Sequence, residues 1–364
     1  MKTRYDAILF LSVILLLGVG IVMVYSTSSY YALIRFGDAS YFLKREMCFA
    51  LMGLFAMGGL MVLDYRLLRS MVYPILLGTV ILLILVFVPG IGSEAGGARR
   101  WIDLRLFTVQ PSEVAKLGLV IYLAHSLIKK GERLKEFYKG FLPHIIVSGV
   151  VISLVILQPD FGTAMAMGAI VLTVLFVAGT KGLHILSALL VMAPLACLAV
   201  MGAEYRRQRI LAFLNPWEDP ERSGFQIIQS YLALGNGGLW GVGLGKSSQK
   251  LFYLPQAHTD FILSVIGEEL GLIGLFTIVV LFAVFLARGI RVSLRAKDGF
   301  GTYLGLGLTL IISLQALIHM GVVMGLLPTK GLTLPFISYG GTSLVISLMA
   351  AGILLNISTS VEER

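Results

Sequence analysis

The sequence predicts an all-α integral membrane protein: ten transmembrane helices, a large extracytoplasmic loop between helices 7 and 8, and both termini on the cytoplasmic side. Three observations carry that prediction. Of 364 residues, 57% are hydrophobic and only 13% are charged, where an average soluble domain has roughly 25% charged residues. Ten apolar segments recur along the chain, most of them about 16 to 25 residues long, the length that crosses the hydrocarbon core of a bilayer. The Lys and Arg residues divide unevenly, with fifteen in connections that share a side with the N-terminus and seven in the short loops opposite. By the positive-inside rule the richer side is cytoplasmic. The net charge of +9 is therefore a topological signal and gives no reason to expect nucleic acid as a partner.

The segments follow in order. The first, near 8–25, comes after Lys2 and Arg4 without a convincing small-residue cleavage site, so it reads as a retained helix. The second and third, 47–63 and 71–88, flank a connection holding Arg66 and Arg69. The fourth, 112–128, opens on Pro111, Ser112 and Glu113, with Pro tolerated in the first turn and Glu beside the positive end of the helix dipole. The fifth, 141–157, and sixth, 163–179, are separated by a short turn in which Asp160 reads first as an N-cap. The seventh, 183–202, leads into the long connection 203–258, and 259–287, 302–324 and 343–357 complete an even count. Cys48 and Cys197 lie in apolar runs and read as core residues with no disulfide or metal role.

The whole chain, 1–364, reads as a single polytopic membrane domain, and 203–258 is its largest piece outside the membrane. Tyr205, Phe213, Trp217, Phe225, Tyr231, Trp240, Phe252 and Tyr253 give that piece enough aromatic surface to pack, so short interfacial or re-entrant helices are expected there. No internal repeat is apparent, which weighs against inverted-repeat transporter folds.

Asp260 is the acid best placed for chemistry. It sits in a polar turn with His258 and Thr259, at the mouth of the eighth span. Ser264, Gly267, Gly271 and Gly274 follow it on one helical face, a seam of small residues that lets another helix approach closely. On the same outer side, Arg99, Arg100 and Arg105 precede the fourth span, Arg206, Arg207 and Arg209 open the long loop, and Lys330 lies in a Pro- and Gly-rich loop. Together these are the cations that an anionic lipid head group, pyrophosphate above all, would require; each also has the simpler reading of pairing with a neighbouring acid. Lys116 falls inside the fourth span, about 6 to 8 Å below its start, and is either functional, paired with Glu113 or a snorkelling side chain. Glu268 and Glu269 lie in the eighth span, Glu269 on the side opposite Asp260, and structural ion pairing is the expected role of both.

Two apparent motifs fail. The run GVGLGKSS resembles a phosphate loop, but the pattern needs glycine where Trp240 stands. His258 and Asp260 could begin a metal site, yet no second histidine appears in the outer loops, so a protein-built zinc site is not expected.

The runs GARRWIDL, FTVQPSEVAK, QPDFGTA, LAFLNPWEDP, SGFQIIQSYLALGNGGLWGVGLG, KLFYLPQAHTDFILSVIGEELGLIG and LLPTKGLTLPFISYGGTS resemble those of the SEDS family of bacterial wall proteins (FtsW, RodA and SpoVE), over essentially the whole chain. KLFYLPQAHTDF and PTKGLTLPFISYGG are more similar to the division and sporulation members, FtsW and SpoVE, than to RodA. Gln256 stands where FtsW-like chains often carry a glutamate. The resemblance implies a ten-helix peptidoglycan glycosyltransferase of the bacterial inner membrane that polymerises lipid II on the outer face. It further implies a class B penicillin-binding protein and other divisome proteins as partners, beside the nascent glycan strand and membrane lipids, and a place at the division septum.

The family's catalytic aspartate matches Asp260, and its basic residues near the site match Arg100, Lys116 and Lys330; Arg206, Arg207 and His258 complete the expected substrate-binding set. Glycosyl transfer needs a base at the attacking hydroxyl and charge neutralisation at the leaving group. Asp260 would take the proton of the GlcNAc 4-hydroxyl, and the basic residues would stabilise departing undecaprenyl pyrophosphate. No permanently bound cofactor is expected, although a divalent cation, Mg or Mn, could bridge Asp260 and the pyrophosphate. The alternatives are a lipid II flippase, whose site should lie near the midplane, a scaffold for the partner, and a sporulation or elongation role for the same enzyme.

Overall fold

Each of the ten apolar segments folds as a helix. The computed structural model describes residues 5–95, 98–104, 107–250, 254–255 and 257–360; Lys2, Arg4, Arg105, Phe252, Tyr253, Gln256 and Arg364 lie outside the described residues. Helix α1 runs Ala7–Phe36, α2 Tyr41–Val62, the single turn α3 Leu67–Ser70 and α4 Val72–Leu85. A small antiparallel sheet follows, β1 Gly92–Ala95, β2 Ala98–Asp103 and β3 Thr108–Val109, in the order β1-β2-β3. Then come α5 Pro111–Lys130, α6 Leu142–Leu157, α7 Phe161–Val177, α8 Gly182–Met201, α9 Glu204–Leu214, α10 Phe225–Gly237, α11 Ile262–Leu294, α12 Gly299–Val323 and α13 Gly341–Thr359.

The helix ends follow local chemistry. Asp6 caps α1 by accepting from Leu9 N at 2.9 Å, and Gly37 ends the helix in the left-handed region that glycine enters freely. Pro111 and Glu113 occupy the first turn of α5, and Lys129 and Lys130 its last, each sign beside the dipole end that favours it. Asp160 caps α7 through Thr163 N at 3.3 Å, as its position suggested.

Three expectations need correction. The fold is predominantly helical but not purely so, because the segment ARRWID alternates side chains across a strand and pairs with β1 through a bulge between Ser93 and Glu94. Cys48 and Cys197 are exposed on the bundle surface; in a membrane bundle the surroundings are themselves apolar, so an apolar run does not mark a core position. The span expected to start at 259 begins at Ile262, and its backbone leaves the helix at Gly271 (φ 66°, ψ −164°).

Among the described residues, seven helices are long and apolar enough to cross a membrane: α1, α2, the stretch Phe137–Leu157 that contains α6, α8, α11, α12 and α13. Helices α4 and α7 are apolar but shorter, and α5 carries Glu113, Lys116, Lys129 and Lys130. At the centre α12 and α13 are mostly buried, while α8 shows nearly all of its surface.

The two ends of the bundle differ in which connections they gather. At one end Asp6 binds Arg288, with the closest contact at 2.5 Å, and its backbone N–H donates to Ser358 Oγ. Tyr65 and Arg66 meet Asp298 at the same end, at 2.6 and 3.0 Å. The other end gathers the sheet, the α6–α7 turn, the 203–258 connection and the 324–340 loop. In that connection α9 and α10 are the short helices expected, and α10 lies along the small-residue seam of α11: Ser230 Oγ is 2.7 Å from Ser264 Oγ, and a Cβ on Gly237 would fall 1.9 Å from Gly267 O.

Candidate active site

Asp260 lies in the turn just before α11, and the loop between α12 and α13 fixes that turn. Tyr339 N donates to His258 O at 3.0 Å, and Ser338 Oγ donates to Thr259 O at 2.7 Å while accepting from Leu334 N at 2.9 Å. The same loop passes under the carboxylate at Gly331, where a methyl group would stand 3.4 Å from Asp260 Oδ2. Glycine there keeps the space beside the acid open.

Across Gly331 opens a cleft with a cavity volume of about 70 Å³, lined by Arg100, Asp160, Phe161, Gly162, Tyr205, Arg206, Arg209 and Lys330 among others. Four cations therefore line one cleft, with Asp160 among them. None of the three arginines is neutralised by a carboxylate contact among the described residues; backbone carbonyls hold them instead. Arg100 donates to Gln158 O and Pro159 O at 3.3 and 2.6 Å, Arg206 to Ala199 O at 2.8 Å and Arg209 to Thr329 O at 3.2 Å. Aromatic faces complete the support, with Arg206 5.5 Å from the Phe161 ring centre and Arg209 4.3 Å from that of Tyr205. Carbonyls and rings orient a guanidinium without cancelling its charge, which leaves it available to an anion.

Burial pushes the Asp260 carboxyl up to about 6. The Arg209 guanidinium opposes that rise most, followed by a hydrogen bond with Thr259 and by Arg100, while Asp160 adds to it. A carboxylate tuned in this way is ionised at neutral pH yet more basic than an ordinary aspartate, as a general base should be. Lys330 is lowered by burial, consistent with a cation held in a partly enclosed site.

The remaining candidates separate by geometry. Arg207 faces outward and pairs with Glu204 at 3.6 Å. Helical spacing explains this: 206 and 209 are three residues apart on one face of α9, and 207 is rotated about 100° from 206. Lys116 is 2% exposed, pairs with Glu113 at 2.9 Å and donates to Gln315. Through Gln315 Nε2, which donates to Thr333 O at 2.8 Å, it supports the loop that carries Lys330. His258 is set among Phe42, Tyr339 and Tyr31, with ring centres 4.8, 5.8 and 5.9 Å away, and burial lowers it to about 4, so it is neutral at physiological pH. Asp160, beyond its cap, accepts from Gln110 Nε2 and Ser112 Oγ, both at 3.2 Å.

Comparison with known proteins gives a consistent answer. The FtsW, RodA and SpoVE family, described as cell cycle proteins, matches residues 6–363. The chain is 52% identical over 359 residues to the probable peptidoglycan glycosyltransferase FtsW of Geobacter metallireducens, covering 99% of this chain and 96% of that one. It is 43% identical over 357 residues to stage V sporulation protein E of Bacillus subtilis, covering 98% of each. Among solved structures it is similar to a chain of a peptidoglycan synthase complex that coordinates polymerization and crosslinking, with a TM-score of 0.80, 30% identity and 97% of each chain covered. The rod shape determining protein RodA of Thermus thermophilus gives a TM-score of 0.73 at 28% identity, over 99% of this chain and 98% of that one.

Proposed function

Since the chain belongs to the FtsW/RodA/SpoVE family and is a peptidoglycan glycosyltransferase, we propose a division of labour among the residues of the outer cleft. Asp260 is the general base. It takes the proton from the 4-hydroxyl of an acceptor lipid II while that oxygen forms a bond to the anomeric carbon of the donor strand. The bond from that carbon to pyrophosphate breaks, and its electron pair leaves with the undecaprenyl pyrophosphate. Arg100, Arg206, Arg209 and Lys330 stabilise the negative charge that develops there. Lys116 and His258 hold loops in place, and Arg207 remains on the open face. A single displacement inverts the anomeric centre, and the leaving pyrophosphate needs no proton, so one acid suffices.

The observation that carries this reading is the Asp260 carboxyl, raised to about 6, across Gly331 from a cleft lined by four cations, three of them arginines whose partners are carbonyls and rings. Among the described residues no three His, Cys, Asp or Glu side chains gather to hold a metal ion. A Mg or Mn ion at Asp260 would take further ligands from substrate phosphate and water, as such ions often do, and would supply additional charge neutralisation.

We further read the chain as one polytopic domain with ten spans, counting α4, α5 and α7 with the seven longer apolar helices, and with cytoplasmic termini and the cleft outside. A class B penicillin-binding protein is the proposed partner, supported by the likeness to a synthase complex that couples polymerization to crosslinking, and the division septum the proposed place of work. Purified protein with that partner and labelled lipid II tests the chemistry. Long glycan from wild type and none from folded Asp260→Ala is the expected result; transbilayer movement of lipid II without glycan would instead identify a flippase.

A further inference from the structure

One buried polar assembly lies outside the cleft. Glu268 and Glu269 are adjacent on α11 and 1% and 0% exposed. Around them folds the strap 241–250, GVGLGKSSQK, whose Gly241, Gly243 and Gly245 all take positive φ. Glu268 accepts from Ser248 N, Ser248 Oγ and Gln249 N at 3.2, 2.9 and 3.4 Å, and from Ser247 Oγ. Glu269 accepts from Lys250 Nζ at 2.8 Å, from Ser26 Oγ at 2.8 and 2.6 Å, and from Ser247 N at 3.4 Å. Lys250 Nζ also reaches Ser26 Oγ at 3.2 Å. The run that resembles a phosphate loop does cradle an anion with its backbone, but the anion is the chain's own carboxylate.

This assembly sits where α11 is broken. At Gly271 the backbone leaves the helix, and the strap, with Gly238 just before it, takes over the freed groups: Val242 N donates to Glu268 O at 2.9 Å, Gly243 N to Glu269 O at 3.0 Å, and Leu272 N to Gly238 O at 2.9 Å. Side chains are excluded from the crossing, since a Cβ on Gly271 would stand 2.4 Å from Gly241 N. The part after the break, 272–294, is about 34 Å long and crosses a bilayer by itself. The half-helix 262–270, which follows directly on the turn that holds Asp260, is thus set off from the membrane helix by a break in the backbone. Ser26 lies about 30 Å along α1 from Asp6, so the Lys250, Glu269 and Ser26 contact ties this half-helix to the outer end of the bundle.

We propose that Lys250 and Glu269, with Glu268 holding the strap, are positioning residues for Asp260: the clasp fixes the half-helix 262–270 and so keeps the carboxylate against the cation-lined cleft. This rests on the reading of Asp260 as the base. Removing one partner of a buried pair strands a charge, whereas replacing both by apolar groups of similar size restores packing without the hydrogen bonds. That difference separates positioning from stability.

The test assays Lys250→Met, Glu269→Met and the double variant with labelled lipid II and the class B partner, beside Asp260→Asn. Thermal melts and hydrogen exchange of residues 257–270 are read on the same samples. Each single variant melts lower than wild type, and the double variant recovers most of the loss. Its kcat nevertheless stays at least about tenfold down with KM within about threefold, its residues 257–270 exchange faster, and the acid limb of its kcat profile moves to lower pH as water reaches Asp260. Ser26→Ala, which leaves the ion pair in place, moves the same readings in the same direction by a few-fold. A double variant with wild-type kcat, pH profile and exchange overturns the proposal. Should Asp260→Asn polymerise at the wild-type rate, the base assignment falls by itself, and the exchange of 257–270 still decides whether the clasp holds the half-helix.

Discussion

The cleft and the clasp are two collections of charge at the same end of the bundle, and they are built in opposite ways. In the clasp every carboxylate oxygen meets donors, and the single cation is spent on an internal partner. In the cleft three arginines rest on carbonyls and rings, and Asp260 is left with burial raising its pKa. Saturated charge makes a joint, because a buried network with all its partners holds one geometry. Unsaturated charge makes a site, because its remaining capacity is kept for a ligand. If that contrast is right, charge removal in the cleft should cost chemistry and leave folding intact, while removal in the clasp should cost both.

The largest effect belongs to Asp260→Asn. Loss of a positioned base lowers kcat by at least about 100-fold, with a melting temperature at pH 7.5 equal to or above that of wild type. The sign of the stability change follows from linkage: a carboxyl raised from 3.8 to about 6 binds its proton more tightly folded than unfolded, so ionising it as pH rises through that range costs stability. Asparagine removes that cost above about pH 6, and the advantage disappears below about pH 4. A variant that melts well below wild type at pH 7.5 would move Asp260 to the joint side of the comparison.

Next in size is Arg209→Gln. A cation aimed at developing pyrophosphate charge is worth about 10 to 100-fold in kcat here, somewhat less than a fully buried oxyanion donor. It also shifts the acid limb of the rate profile upward, because Arg209 is the strongest influence holding the Asp260 carboxyl down. The clasp variants move the same limb the other way. Opposite displacements from two sets of charge at one end of the bundle are the sharpest measurement of the difference between them, and shifts in the same direction would erase it.

Much of this was legible in the chain. All ten helical segments, the cap at Asp160, the helix start at Pro111, and the seam at Ser264 and Gly267 follow from apolar length, local hydrogen-bonding chemistry and helical spacing. Asp260 and the cations stood out because charge beside a membrane span is expensive to keep. What stayed hidden depends on contacts far apart in sequence. Gly271 was read as a seam glycine, yet it also breaks the helix, and only the approach of residues 238–243 makes that break affordable to the backbone. Glu269 was expected on the side away from Asp260 and in an ion pair, but its partners Ser26 and Lys250 could not be read from spacing within α11. The choice between Arg207 and Arg209 was available in principle, since α9 is an ordinary helix and residues three apart share a face.

That choice supplies the smallest expected effect and the most discriminating control. Arg207 and Arg209 are identical side chains two residues apart, and either alanine variant removes the same net charge. If the cleft acted only through its overall positive potential, the two would be nearly equivalent, and both would fade with added salt. Arg207 pairs with Glu204 on the exposed face of α9, whereas Arg209 stands against Tyr205 and lines the cleft. Arg207→Ala is therefore expected to change kcat and KM by less than about twofold, the size typical of an exposed ion pair. Initial rates of glycan formation for the two variants at matched ionic strength check this. Equal losses would mean that the wall of the cleft works as a diffuse field, and the specific contacts assigned to Arg209 would have to be given up.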